Sequence, residues 1–296
     1  MEYSHLLPEA VAALNLPTEE RIQYIKDDRW LGYDKAGEIL DKMTELMNHP
    51  RVLRMPNMLI VARTNNGKTQ ILNRFLELNP ADDNIGGDAI IVPVVYVMAS
   101  ADPDEKRFYA EILNAIFAKY SYSDAPQKLL DTVKDKFEKI GVKILLIDEL
   151  NNLISGSLAK QRKFLTVLKQ LSNALKLPIV AAGTEEAVRA VQSDPQLSNR
   201  FEPFILPRWA LNKDFQRLLR TYEQMLPLRQ PSGLSKKEMT QEIWARSEGT
   251  IGEVFALLKK AAILAIRNET ECIDLTTLDQ CGYSAPSARK KRLLEA

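Results

Sequence analysis

The sequence predicts an α/β fold, a parallel five-stranded sheet with helices on both faces, followed by a C-terminal helical lid. Three observations predict it. Between residues 51 and 207, short apolar runs alternate with amphipathic stretches, the order that builds parallel sheets through helical crossovers. The runs are apolar throughout, as strands buried on both faces must be. The stretch Met58–Leu72, MLIVARTNNGKTQIL, reads as a strand, a polar turn and an amphipathic helix, the context that a phosphate-binding loop requires.

Residues 1–50 read as helical, with a helix starting near Pro17-Thr18, Thr18 serving as its cap. Arg29–Tyr33 breaks the pattern with two aromatics. A second helix follows from Asp34 to Met47, with Ile39, Leu40, Met43, Leu46 and Met47 at helical spacing. The strand candidates are Met58–Ala62, Ile90–Met98, Lys143–Ile147, Pro178–Ala182 and Pro203–Leu206. Between them lie the helices Thr69–Leu78, Glu105–Lys119, Gln127–Ile140, Ala159–Ala174 and Glu185–Gln192. From Trp209 only helical periodicity remains, over Lys213–Met225, Ser235–Ser247, Gly252–Arg267 and a short Leu275–Gln280. The tail Ala288–Ala296 carries the basic run Arg289-Lys290-Lys291-Arg292. It reads as a solvated, mobile terminus or as a contact for DNA or a partner protein.

The chemistry starts at the turn. Backbone N–H groups of Arg63, Thr64, Asn65, Asn66 and Gly67 form an anion nest, and the helix opening at Lys68, Thr69 and Gln70 adds its positive end. Gly67 lets the backbone approach phosphates. Lys68 reaches the β and γ phosphates, and the Thr69 hydroxyl ligates Mg²⁺. The consensus first glycine is Ala62 here, which costs about 1 kcal/mol if that position needs a positive φ and is tolerated otherwise.

Further along, the apolar run Ile144–Ile147 ends in Asp148-Glu149, a Walker B pattern. Asp148 would hold Mg²⁺ opposite Thr69, and Glu149 would activate the attacking water. Thr184, after the next strand, stands at the place of a water-positioning sensor if that strand lies between the other two. It equally suits the cap of the helix starting at Glu185. Arg200, at a helix end before the last strand, suits an arginine finger acting on a neighbouring subunit. Its plainer reading is a surface ion pair.

Composition narrows the class. The chain has 296 residues, 45% hydrophobic and 27% charged, with net charge +1. Nucleic-acid binding must therefore come from a local patch rather than a whole-molecule field. The two cysteines, Cys272 and Cys281, lack metal-ligand spacing with His5 or His49 and read as free thiols. No apolar run approaches a membrane span, and MEYSHLLPEAVAAL lacks the basic start of a secretory signal, so a cytoplasmic location is expected.

Together these residues resemble the AAA+ ATPases. The segments Arg29–Tyr33, His49-Pro50-Arg51, Arg54-Met55-Pro56-Asn57 and Thr64–Thr69 resemble the TniB/TnsC family of transposition ATPases, from about Arg21 to Arg267. The resemblance implies a RecA-like core with a lid, ATP and Mg²⁺ as cofactors, and hydrolysis that depends on assembly. It implies a homo-oligomeric ring or filament on double-stranded DNA that recruits transposase and target-selection proteins. An ATP-switched adaptor or a helicase-loader-like protein is the alternative. Trp30 or Tyr33 would pack near adenine, and Lys106 and Arg107 would face DNA phosphates unless they are a solvated helix start. The expected divisions are 1–50, a helical segment contributing to the nucleotide pocket; 51–207, the ATPase core; 208–282, the lid; and 283–296, the basic tail. The turn Glu248–Glu253 carries no sensor 2 arginine, so lid control through that residue is not expected.

Overall fold

Five short strands rich in Val, Ile, Leu and Ala order this chain: β1 (Asn57–Val61), β2 (Val94–Met98), β3 (Ile144–Asp148), β4 (Ile179–Gly183) and β5 (Phe201–Ile205). They form one parallel sheet in the order β2-β3-β4-β1-β5. The computed structural model describes residues 3–100, 104–153 and 157–295, without the side chains of 153 and 292–295. The helices in chain order are α1 (Pro8–Ala13), α2 (Thr18–Lys26), α3 (Asp34–Met47), α4 (Lys68–Leu78), α5 (Glu105–Ala115), α6 (Pro126–Lys139), α7 (Leu150–Leu153) and α8 (Leu158–Leu175). There follow α9 (Glu185–Gln192), α10 (Pro195–Ser198), α11 (Lys213–Met225), α12 (Lys237–Ser247), α13 (Ile251–Arg267), α14 (Leu275–Gln280) and α15 (Pro286–Glu295).

The chain divides into two compact units, Asp34–Pro207 and Met1–Tyr33 with Arg208–Ala296. In the first, every residue of β1, β3 and β4 is buried, as the apolar runs require. Its core joins Leu59, Val95, Leu145, Ile147 and Ala181 of the sheet to Phe108, Phe137, Phe164 and Leu168 of the helices. In the second, Ile22, Ile25 and Leu31 share a core with Phe215, Leu219, Ile243, Leu257 and Leu258. The first fifty residues are therefore not one segment: α1 and α2 belong with the lid, and α3 packs on α4 in the core unit.

Several boundaries shift for identifiable reasons. Thr18 is the first helical residue, not the cap, and the carbonyl of Pro17 takes the Arg21 N–H. Strand β2 starts only at Val94, because Pro93 has no N–H for the ladder. Ile91 pairs instead with Asp82 in an isolated antiparallel bridge. Strand β5 begins at Phe201 and includes Pro203, which an edge strand tolerates. Helix α5 stops at Ala115 rather than Lys119. Phe117 turns left-handed at φ +53°, and Phe117 N–H and Ala118 N–H bond back to the carbonyls of Asn114 and Leu113. That is a Schellman ending built on an aromatic.

The tail is not a free terminus. Helix α15 is held to the lid by Arg289, 2.6 Å from the buried Glu253 carboxylate, and by the Ser287 N–H donated to Glu248 at 2.9 Å. Tyr283 donates to the other Glu253 oxygen at 2.7 Å. These contacts fix the first turns of α15; the Arg292 side chain of the basic run lies outside the described residues. Cys272 and Cys281 are free, as expected.

One charge clamp holds the lid unit together. The Arg21 side chain, 6% exposed, donates to both carboxylate oxygens of Glu271, one at 2.9 Å, and to the Pro227 carbonyl at 2.9 Å. Burial pushes the Glu271 carboxyl up, but hydrogen bonds from Arg21 and from the Arg229 N–H outweigh it and hold the group below its usual range. Arg21→Ala removes the nearest cation of that half-buried carboxylate, leaving it Arg229, and is expected to destabilise the lid unit by about 1–3 kcal/mol, measurable by denaturant unfolding. The wild-type contribution of Glu271 is complete above the ordinary carboxylate pKa. It fades as pH falls through the lower folded value.

Candidate nucleotide-binding and hydrolysis site

Strand β4 lies between β1 and β3, so the loops after all three open on one edge of the sheet. From β1 the chain crosses out to β2 at one side of the sheet and then winds back the other way through β3, β4 and β5, and such a switch in direction leaves a crevice at the carboxyl ends of strands beside β1. The P-loop fills that place. Ala62 is buried, lacks a positive φ, and donates its N–H to the Gly183 carbonyl at 3.1 Å, so alanine is unstrained here. The left-handed residues are Asn65 (φ +61°) and Gly67 (φ +87°), which wind the loop into the first turn of α4.

Arg63, Thr64, Asn65 and Gln70 are exposed around this turn. The Asn66 side chain is instead buried and donates to the carbonyls of Leu206 and Pro207, each at 3.1 Å. It staples the loop to the chain leaving β5, and what it offers an anion is its backbone N–H. Lys68 is 5% exposed, and its Nζ donates to the carbonyls of Ala62 (3.1 Å) and Arg63 (3.2 Å). Burial lowers its pKa, and the Glu149 and Asp148 carboxylates work in the opposite direction.

The two halves of the expected magnesium site meet. Thr69 donates its hydroxyl to Asp148 Oδ2 at 2.7 Å, and Asp148 is fully buried. A hydroxyl and a carboxylate converging in this way are hard oxygen donors, which fits Mg²⁺ held on one or two protein ligands. Tyr96 adds a hydrogen bond of 3.2 Å to the same oxygen; burial, and then the Asp148 charge, raise its phenol pKa. Tyr96 was not anticipated, although a lone hydroxyl in an otherwise apolar strand beside β3 was a usable signal.

Glu149 follows at φ +54°, a conformation that costs a non-glycine residue of order 1–3 kcal/mol. Its N–H closes on Asp148 Oδ1 at 2.8 Å, and its carboxylate accepts from Asn151 Nδ2 at 3.1 Å. The left-handed turn separates the two carboxylates, leaving Asp148 on Thr69 and Glu149 on Asn151. Thr184 stands one residue past β4. Its backbone position caps α9, but its hydroxyl makes no cap bond and is buried without a partner among the described residues. Such an orphan is expensive unless a ligand or water satisfies it. A methyl on Gly183 would stand 2.7 Å from Ala187 Cβ, so the glycine allows α9 to start tightly against the strand end.

Arg200 is elsewhere. It immediately precedes β5, its carbonyl accepts the N–H of Asn57 at the start of β1 at 2.8 Å, and its guanidinium donates to Asn173 at 2.7 Å. It thus lies at the amino edge of the sheet, the length of β1 away from its own P-loop. No carboxylate pairs with it among the described residues. Lys106 and Arg107 open α5, capped by Asp104; Lys106 lies 5.8 Å from the centre of the Tyr122 ring, and Arg107 pairs with Glu111 at 3.3 Å. Trp30 and Tyr33 belong to the lid unit, where Tyr33 packs edge-on against Trp209 at 5.1 Å and burial pushes its pKa up to about 12. The described residues contain no cluster of metal-ligating His, Cys, Asp or Glu, and no helix among them is long and apolar enough to cross a membrane.

A family model described as bacterial TniB protein matches residues 21–211. The comparison with curated proteins finds no match. Among solved structures, the chain resembles the Aeropyrum pernix ORC2 protein (TM-score 0.62, 12% identity, covering 88% of this chain and 71% of that one). It also resembles the Aeropyrum pernix ORC1 protein solved in complex with DNA (TM-score 0.57, 15% identity, 87% and 64%). A third is Cdc6p from Pyrobaculum aerophilum (TM-score 0.56, 14% identity, 84% and 67%). At these identities the likeness is one of fold, and the chain spans about two thirds of their length.

Proposed function

Because the chain belongs to the TniB family, and so carries the AAA+ ATPase fold, we propose that it regulates DNA transposition. In this reading it assembles with ATP on double-stranded DNA, as a ring or filament, and recruits transposase and target-selection proteins. One observation carries the assembly: the residues that can grip and cleave a triphosphate stand at one edge of the sheet, and Arg200 at the other. A chain cannot complete its own site, but a second copy can.

The roles follow from position. The N–H groups of residues 63–69 cradle the phosphates, and Lys68 exchanges its loop carbonyls for phosphate oxygens. Thr69 and Asp148 would hold Mg²⁺, whose contribution is to neutralise charge building on the phosphates. Glu149 takes the proton of the attacking water, and the unpartnered Thr184 hydroxyl orients that water. Arg200 of the next subunit neutralises charge in the transition state. On DNA, Lys106 and Arg107 supply a few phosphate contacts per subunit, and the assembly sums them. The DNA-bound ORC1 relative supports that reading, within a shared fold.

Turnover per subunit is therefore expected to be very low in dilute protein. It should rise steeply with concentration and with added duplex DNA, and electron microscopy with a non-hydrolysed ATP analogue should show the assemblies. Equal turnover per subunit at nanomolar and micromolar protein, with no response to DNA, would refute it.

A further inference from the structure

The amino edge of the sheet holds a second cation beside Arg200. A cleft of about 800 Å³ opens there, lined among others by Lys42, Glu45, His49, Arg54, Arg200 and Glu202. Lys42 is satisfied by Glu45 at 3.0 Å, and His49 Nδ1 lies 2.8 Å from the Pro50 carbonyl. Arg54 is exposed, and no hydrogen bond or ion pair engages its guanidinium among the described residues. The backbone around it is nonetheless fixed. Met55 is 2% exposed and its sulfur accepts the Val52 N–H at 3.2 Å, and Asn57, three residues on, starts β1 and bonds Arg200. The lining of the cleft thus includes two guanidinium groups without carboxylate partners among the described residues, with the Glu202 carboxylate also on the lining.

Like charges gathered in a cleft cost energy unless an anion joins them, and paired planar forks suit phosphate oxygens. The opposite edge of the same sheet needs such charge. There the charge of Lys68 is opposed by two carboxylates, Asp148 and Glu149, so even with a Mg²⁺ held on Thr69 and Asp148 a bound triphosphate is left only partly neutralised by its own chain. We propose that Arg54 acts with Arg200 as a second cation supplied in trans, and that this cleft receives the nucleotide phosphates held on the P-loop of a neighbouring copy. The proposal rests on the reading that ATP sits between copies. It makes Arg54 a direct phosphate contact, distinct from the single finger anticipated at Arg200.

The test uses the full chain with duplex DNA and ATP. Arg54→Ala is expected to lower turnover by about 10- to 100-fold, the loss of one charged hydrogen-bonding group. Arg54→Lys should recover part of it. Binding of a fluorescent ATP analogue to dilute protein should stay within about twofold of wild type, since the variant's own P-loop is untouched. The decisive measurement is mixing. Arg54→Ala chains keep an intact P-loop and Lys68→Ala chains keep an intact Arg54, so a mixture should turn over faster than either alone. Arg200→Ala mixed with Lys68→Ala is the parallel control. Regain in the control without regain in the Arg54 mixture overturns the role of Arg54 alone. No regain in either, with full activity of Arg200→Ala in dilute solution, overturns the shared-site reading beneath it. Wild-type turnover in Arg54→Ala also overturns the proposal.

Discussion

Replacing Arg200 by Ala is expected to lower ATP turnover of the assembled protein by about 10³-fold or more, the usual worth of an arginine supplied to a phosphoryl-transfer site. The reason is geometric. Arg200 precedes β5 and is bonded to the first residue of β1, whereas the P-loop follows the last. The five residues of β1 hold these points roughly 16 Å apart. On the proposed assembly, the affected step is one performed on the neighbour's nucleotide. Folding should barely change, because the guanidinium makes one exposed hydrogen bond, to Asn173, and surface truncations of that kind stay within about 0.5 kcal/mol. Steady-state turnover at high protein concentration, paired with a thermal melt, reads both quantities. A variant that hydrolyses within a few-fold of wild type would remove Arg200 from the mechanism.

Glu149→Gln should separate binding from hydrolysis. The substitution keeps the shape and leaves Lys68, Thr69 and Asp148 in place, so nucleotide should still bind and assembly on DNA should persist. What disappears is the carboxylate able to take a proton, and the rate is expected to fall by about 10²- to 10⁴-fold. The local backbone argues for this division of labour. Asp148 is engaged by Thr69, by Tyr96 and by the Glu149 N–H, while among the described residues the Glu149 carboxylate, carried on a left-handed backbone, bonds Asn151 alone. The chain holds an unfavourable φ at that point, which fits a side chain held where function needs it. Single-turnover hydrolysis and analogue binding measured on one preparation test it. Loss of ATP binding in this variant would mean that Glu149 holds the nucleotide rather than the water.

Much of this site was legible in the chain. Lys68-Thr69 after a strand and Asp148-Glu149 at the end of another point to phosphate and magnesium chemistry by residue type alone, because only a few groups perform it. The periodicity placed the strands and most helices, since burial of a face leaves its signature in local sequence. Misplaced ends had local causes too: Pro93 delayed β2, and an αL phenylalanine closed α5 early.

The sequence by itself determined the family, the sheet-forming segments and the candidate residues for gripping a triphosphate. Tertiary structure alone decided that β4 stands between β1 and β3, which brings Thr69 to Asp148 and sets the buried Thr184 hydroxyl, unpartnered among the described residues, at the same edge of the sheet. It also decided that Arg200 and Arg54 share a cleft at the far edge, and that Arg289 ties the tail to Glu253. The physical reason is common to all of these. Local pattern encodes which face of an element is buried, but which elements become neighbours depends on contacts between residues far apart in the chain.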